Sequence, residues 1–169
     1  MTEPKISSSN GMEATLEKCL DELATIETDF TTLTSDIPEA HLRWSPDSGG
    51  WSILHCLAHV NRTTEAYLPN IDTAIERGRH RKIVGNRSSR GTLLGSWLID
   101  SLEPPVKRRF KAPRIFQPPA DPDANTMEEF VRIRNEVRQR IVSSSGLDIG
   151  RVRLSSPAMK ILRVSLGEA

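Results

Sequence analysis

From Met12 to Leu33 the apolar residues fall at Met12, Leu16, Cys19, Leu20, Leu23, Ile26, Phe30 and Leu33. These are steps of three and four, which a helix of about 3.6 residues per turn gathers into one stripe. Two more stripes follow, at Ile53, Leu57, Val60, Tyr67, Ile71 and Ile75, and at Phe130, Ile133, Val137 and Ile141. No stretch sustains the period-two alternation of a strand. An apolar stripe must be buried against a partner, so the pattern predicts an all-α helical bundle with long helices near 12–36, 52–76 and 126–144. Leu16, Leu20, Leu23, Phe30, Ile53, Leu57, Val60, Ile71, Phe130, Ile133 and Val137 are its expected core.

Local signals set the ends of these helices. Pro38 lies just past the first. The turn cluster P-D-S-G-G (46–50) precedes Ser52, a good N-cap, with Trp51 and Cys56 placed for a hydrophobic staple. Gly78 is read as the C-terminal breaker of the second helix, and Pro69 should kink it near Glu65–Tyr67. Thr126 and Glu129 form a T-x-x-E capping box, and S-S-S-G (143–146) ends the third helix. Residues 77–95 read as a basic connection, and 93–102 as a short helix around Trp97. Pro104, Pro105, Pro113, Pro118, Pro119 and Pro122 make 103–125 a loop. Residues 1–11 read as a flexible polar tail, and 12–169 as one bundle domain.

Composition narrows the function classes. With 23 basic and 22 acidic residues the net charge is +1, which gives no reason to expect nucleic acid or an anionic membrane as partner. The R-G-R-H-R-K run (77–82) reads as solvated loop charges, and the arginines Arg132, Arg134, Arg138 and Arg140 as a solvated face rather than an anion site. No segment approaches the ~18 apolar residues of a membrane span. The N-terminus M-T-E-P-K-I-S-S-S-N lacks the apolar region of a secretory signal, so the expected location is cytoplasmic. Cys19 and Cys56 do not make a disulfide framework and read as small core residues. Trp44 and Trp51 read as core or staple residues.

Ser165 and Glu168 make a second S-x-x-E box, one residue before Ala169. Three long helices leave a groove that a fourth would close. The expectation is a polypeptide cut before its last helix, with an exposed apolar groove and self-association.

L-R-W-S-P (42–46), G-G-W-S-I-L-H-C-L-A-H-V (49–60), Tyr67, K-A-P-R-I-F-Q-P (111–118) and G-L-D (146–148) together resemble the DinB-like superfamily of bacterial four-helix bundles. The resemblance implies an up-down-down-up bundle with a long crossover. It also implies a divalent ion, nickel or zinc, held by three histidines. One of these matches His59, and the others form an H-x-x-x-H pair on a fourth helix that has no counterpart here. Characterised relatives include S-transferases using bacillithiol or mycothiol, and a maleylpyruvate isomerase. The position of His55 is commonly Glu in the family, where it completes a capping box with Ser52.

His55 and His59 are about 40° apart on a helix, so they share a face. That spacing can chelate zinc, but the glutamate of H-E-x-x-H is missing and no third ligand is apparent. His59 is thus the candidate metal ligand and His55 a weak one. The plainer reading of His55 is a polar first-turn residue whose neutral form the helix dipole favours. His41 and His80 are expected in loops. Tyr67 reads as core, its hydroxyl toward the mouth of the bundle. Three functional readings follow. One is a metal-dependent thiol S-transferase acting on a low-molecular-weight thiol, its site incomplete in this chain. The second is a non-catalytic binding or homodimerising module, and the third an inactive fragment.

Overall fold

The computed structural model describes residues 10–47, 49–85, 111–123, 125–159 and 161–169, with side chains from residue 15 onward. The short helix expected around Trp97, residues 1–9 and residues 103–110 lie outside the described residues. Helix α1 spans Asn10–Thr34, α2 Glu39–Arg43, α3 Ile53–His80 and α4 Asn125–Ser143. Single 3-10 turns cover Arg114–Phe116 and Leu166–Glu168, and a two-stranded antiparallel ribbon joins β1 (Arg153–Ser155) to β2 (Arg163–Ser165). The fold is all-α in class, as the stripes predict. Among the described residues no helix is long and apolar enough to cross a membrane.

Helix α3 is the hub. It packs against α4, α2, the Arg114–Phe116 turn and β1, while α1 rests on α4. It starts at the expected cap, where Ser52 Oγ accepts the His55 N–H at 3.2 Å. Pro69 sits inside it without ending it.

Gly78 does not end it either. The helix runs to His80 and closes with Lys82 at φ 51°. The Ile83 N–H then donates to the Gly78 carbonyl at 2.9 Å, and the Lys82 N–H to the Arg79 carbonyl at 3.0 Å, the paired bonds of a Schellman stop. The glycine is there for packing, since a Cβ at residue 78 would stand 2.9 Å from Val152 Cγ2.

The core differs from the expected one. Its centre is Ala74, Ile75, Leu147, Ile149, Val152, Leu154 and Val164, five of them from the segment after α4. Of the expected set Ile133 is buried and most others are half-buried, but Ile53 and Val60 are 40% and 44% exposed. The reason lies in α3. Leu54, Ala58, Asn61 and Leu68 bury one face, and Ala74, Ile75 and Gly78 bury another about 100° around the helix. The first half meets α4, where Asn61 Nδ2 donates to the Thr126 carbonyl at 2.9 Å. The second half meets the 147–164 segment. A single stripe of large residues misses both, because the close contacts use Ala, Asn and Gly. Trp44, Trp51 and Cys56, expected inside or in a staple, are exposed.

The α4 arginines are not simply a solvated face. Arg132 pairs with Glu65 at 2.6 Å, and Arg140 grips Asp72 through two bonds of 2.8 Å, both on α3. Arg134, nearly buried, reaches Glu27 of α1 at 2.5 Å, and Phe30 lies against Phe130 with ring centroids 4.6 Å apart. Thr126 is buried in the first turn of α4 rather than capping it, since the helix begins at Asn125. The S-x-x-E box does form: Glu168 Oε2 accepts the Ser165 N–H and O–H, each at 2.8 Å.

Two predictions follow from this packing. Gly78→Ala in an exposed helix would gain ~1 kcal/mol, but against Val152 it should lose about 1–3 kcal/mol by overpacking. Val152→Ala in the same chain should restore part of that loss, read from urea melts of the single and double variants. The second concerns Glu27, whose carboxyl the Arg134 hydrogen bond holds below its ordinary value. A lowered folded value means that the tie stabilises above the unfolded range, near pH ~4.3, and is lost as pH falls through it. The stability gap between the native protein and Glu27→Gln should therefore shrink between pH 6 and pH 3.

Candidate functional site

Residues 111–123 form a proline-rich strap that crosses the N-terminal half of α3. Phe116 and Pro122 are its buried apolar residues, and the Phe116 ring stacks on Tyr67 at 6.1 Å. The rest of the strap is held by its carbonyls. His59 Nδ1 lies 2.7 Å from the Phe116 carbonyl, and His55 Nε2 lies 3.2 Å from that of Ala120. Arg43 of α2 holds the far end through the Pro122 carbonyl at 2.8 Å and Asp121 at 3.2 Å.

These contacts assign the proton on each neutral ring. A carbonyl can only accept, so the nitrogen facing it must carry the hydrogen. His55 Nε2–H therefore donates to Ala120, and its Nδ1 accepts the Ser52 hydroxyl at 2.7 Å. Both ring nitrogens of His55 are used, and the imidazole reaches back to the N-cap as a glutamate would. His59 is different. Its Nδ1–H donates to Phe116, which leaves Nε2 as a bare lone pair, with no partner recorded among the described residues. The half-buried ring is braced by Trp51, centroids 4.9 Å apart. An imidazole fixed through one N–H by a backbone carbonyl is the usual second-sphere setting of a histidine ligand.

The structure separates the other candidates. His41 lies in α2 and His80 ends α3, both exposed and neither in a loop. Asp121 is engaged by Arg43. Among the described residues no three His, Cys, Asp or Glu side chains converge as a metal centre would need.

One turn past His59, Thr63 lines an apolar cleft of about 400 Å³ whose walls include Leu16, Ile71, Val137, Ile141 and Leu166. Tyr67 lies in its wall and donates its O–H to Ser156 Oγ at 3.1 Å. Cys19 also borders it, but burial, with help from Glu22, pushes its thiol above the ordinary value. That disfavours the thiolate a nucleophile would need. The arrangement thus offers one oriented imidazole and, beginning one helical turn further along α3 at Thr63, a separate space able to hold a small apolar group.

A family model described as the DinB superfamily matches residues 22–166. The chain belongs to the DinB superfamily. No curated protein and no solved structure is detectably similar to it. In this DinB-superfamily protein the matched span contains the strap, both histidines and the whole of α3 and α4. Sequence reasoning marks His59 as a candidate but not the partner that orients it. The anchor is a main-chain carbonyl 57 residues away, and no side chain in the sequence signals it.

Loss of His59 should free the strap. His59→Ala removes a hydrogen bond worth about 1 kcal/mol, which corresponds to roughly a fivefold rise in the open population. Limited trypsin digestion should cut after Arg114 faster by about that factor, with the far-UV spectrum unchanged.

Proposed function

We propose that this DinB-superfamily protein is a metal-dependent enzyme of the thiol S-transferase type, with His59 Nε2 as one ligand to nickel or zinc. The observation that supports this reading is the 2.7 Å contact of His59 Nδ1 with the Phe116 carbonyl, which orients the ring and leaves Nε2 as the donor. His55 serves the strap and the N-cap instead. The described residues do not supply the full ligand set, so the remaining ligands must come from elsewhere. Bound in a neutral-imidazole site with an open position, such an ion would lower the pKa of a coordinated low-molecular-weight thiol.

The test is zinc and nickel titration of chelator-washed protein by calorimetry. The 169-residue chain should retain well below one equivalent after washing. It should bind added zinc weakly, with the heat lost in His59→Ala and kept in His55→Ala. Binding that survives His59→Ala would overturn the assignment of His59. The second reading, a non-catalytic binding or homodimerising bundle, is favoured by the apolar cleft. It requires no metal heat in any variant and a sedimentation coefficient that rises with concentration.

A further inference from the structure

Arg77 lies in the last turn of α3 and Arg81 is its C-cap, four residues on, whose N–H donates to the Arg77 carbonyl at 3.0 Å, so the two fall on the same side of the helix end. The ribbon pairs Arg153 with Ser165, Leu154 with Val164 and Ser155 with Arg163. Side chains alternate along a strand and cross-strand partners share a side, so Leu154 and Val164 turn to the core while Arg153, Ser155 and Arg163 take the other face. Helix period and strand period therefore deliver arginines to one place. Arg77, Arg81, Arg151, Arg153 and Arg163 all line a single pocket of about 200 Å³, with Ser155 beside them and no acidic residue in its wall.

The local charge is poorly balanced. Arg77 uses one nitrogen to donate to the Arg153 carbonyl at 2.5 Å. Arg153 Nη1 is buried without a hydrogen-bond partner, and the Glu168 carboxylate stands 3.9 Å away. Among the described residues Arg77, Arg81, Arg151 and Arg163 have no carboxylate within ion-pair distance. In a chain of net charge +1, five guanidinium groups on one small pocket are a concentration that an anion would relieve.

We propose that this pocket binds a phosphate-class anion, either free phosphate or the phosphomonoester group of a small metabolite. Guanidinium forks match the oxygen geometry of phosphate and bond it in pairs. A dianion also neutralises more of the cluster than a single carboxylate can. Arg81 and Arg163 are exposed and come from different elements, so they are the residues to remove together.

The experiment is calorimetric titration of the 169-residue protein with inorganic phosphate and, separately, glycerol 3-phosphate, at constant ionic strength in chloride. The expected result is saturable binding of at least one probe, weakened at least tenfold in the Arg81→Gln/Arg163→Gln double variant. The preferred probe identifies the source of the phosphate group. Arg138→Gln, on α4, should bind as the native protein does. Should the glutamine variant unfold, Arg81→Lys/Arg163→Lys keeps the charge but loses the forks, and should bind several-fold more weakly. No saturable heat with either probe would overturn the proposal, as would equal affinity in the double variants.

Discussion

The close approach of α3 to the chain on either side of it is the constraint on which the structure depends. Ala58 and Asn61 let α4 come near the first half of the helix, and Ala74 and Gly78 let the 147–164 segment come near the second. At Gly78 the fit leaves no room for a methyl group beside Val152. Because interiors are packed as tightly as organic crystals, this contact sets the position of β1 and, through its ladder, of β2. The arginine pocket and the lower wall of the cleft inherit their geometry from it.

The charged groups do a second kind of work. Arg132, Arg134 and Arg140 each leave α4 for a carboxylate on a neighbouring helix, so the helix faces are matched in charge as well as shape. These pairs are at least partly open to water, and exposed pairs contribute little each. They favour one alignment of α1 and α3 on α4 more than they stabilise the fold. The arginines of the ribbon face the opposite case: Arg153 has only the Glu168 carboxylate at 3.9 Å, and among the described residues Arg163 has none within ion-pair distance. That asymmetry makes the pocket between α3 and the ribbon a place for a ligand rather than for a structural ion pair.

The two histidines of α3 share a helical face and a partner, yet their chemistry diverges. Each gives one N–H to a carbonyl of the strap. His55 spends its second nitrogen on Ser52, and His59 keeps its own. The difference is one turn of helix: only the residue at the third position of the first turn can reach the N-cap hydroxyl. A helix-capping interaction thus removes one candidate ligand and leaves the other.

The helices of the bundle were legible because their cause is local. Apolar residues at steps of three and four, Ser52 before Ile53, and the Ser165–Glu168 box act over a few residues and appeared where expected. His59 was legible as a candidate through the family resemblance of residues 49–60 and its spacing of four from His55. The rest depended on contacts between distant segments. Gly78 looks like a helix stop in sequence, and only the presence of Val152 makes it a packing site. Leu147, Ile149, Val152, Leu154 and Val164 lie in segments too short to show a period, so their burial follows from docking on α3 alone. The proton on His59 was decided by a carbonyl, which every residue type carries and no sequence marks. The arginine cluster, finally, joins two runs more than 60 residues apart, and charge acts through space rather than along the chain.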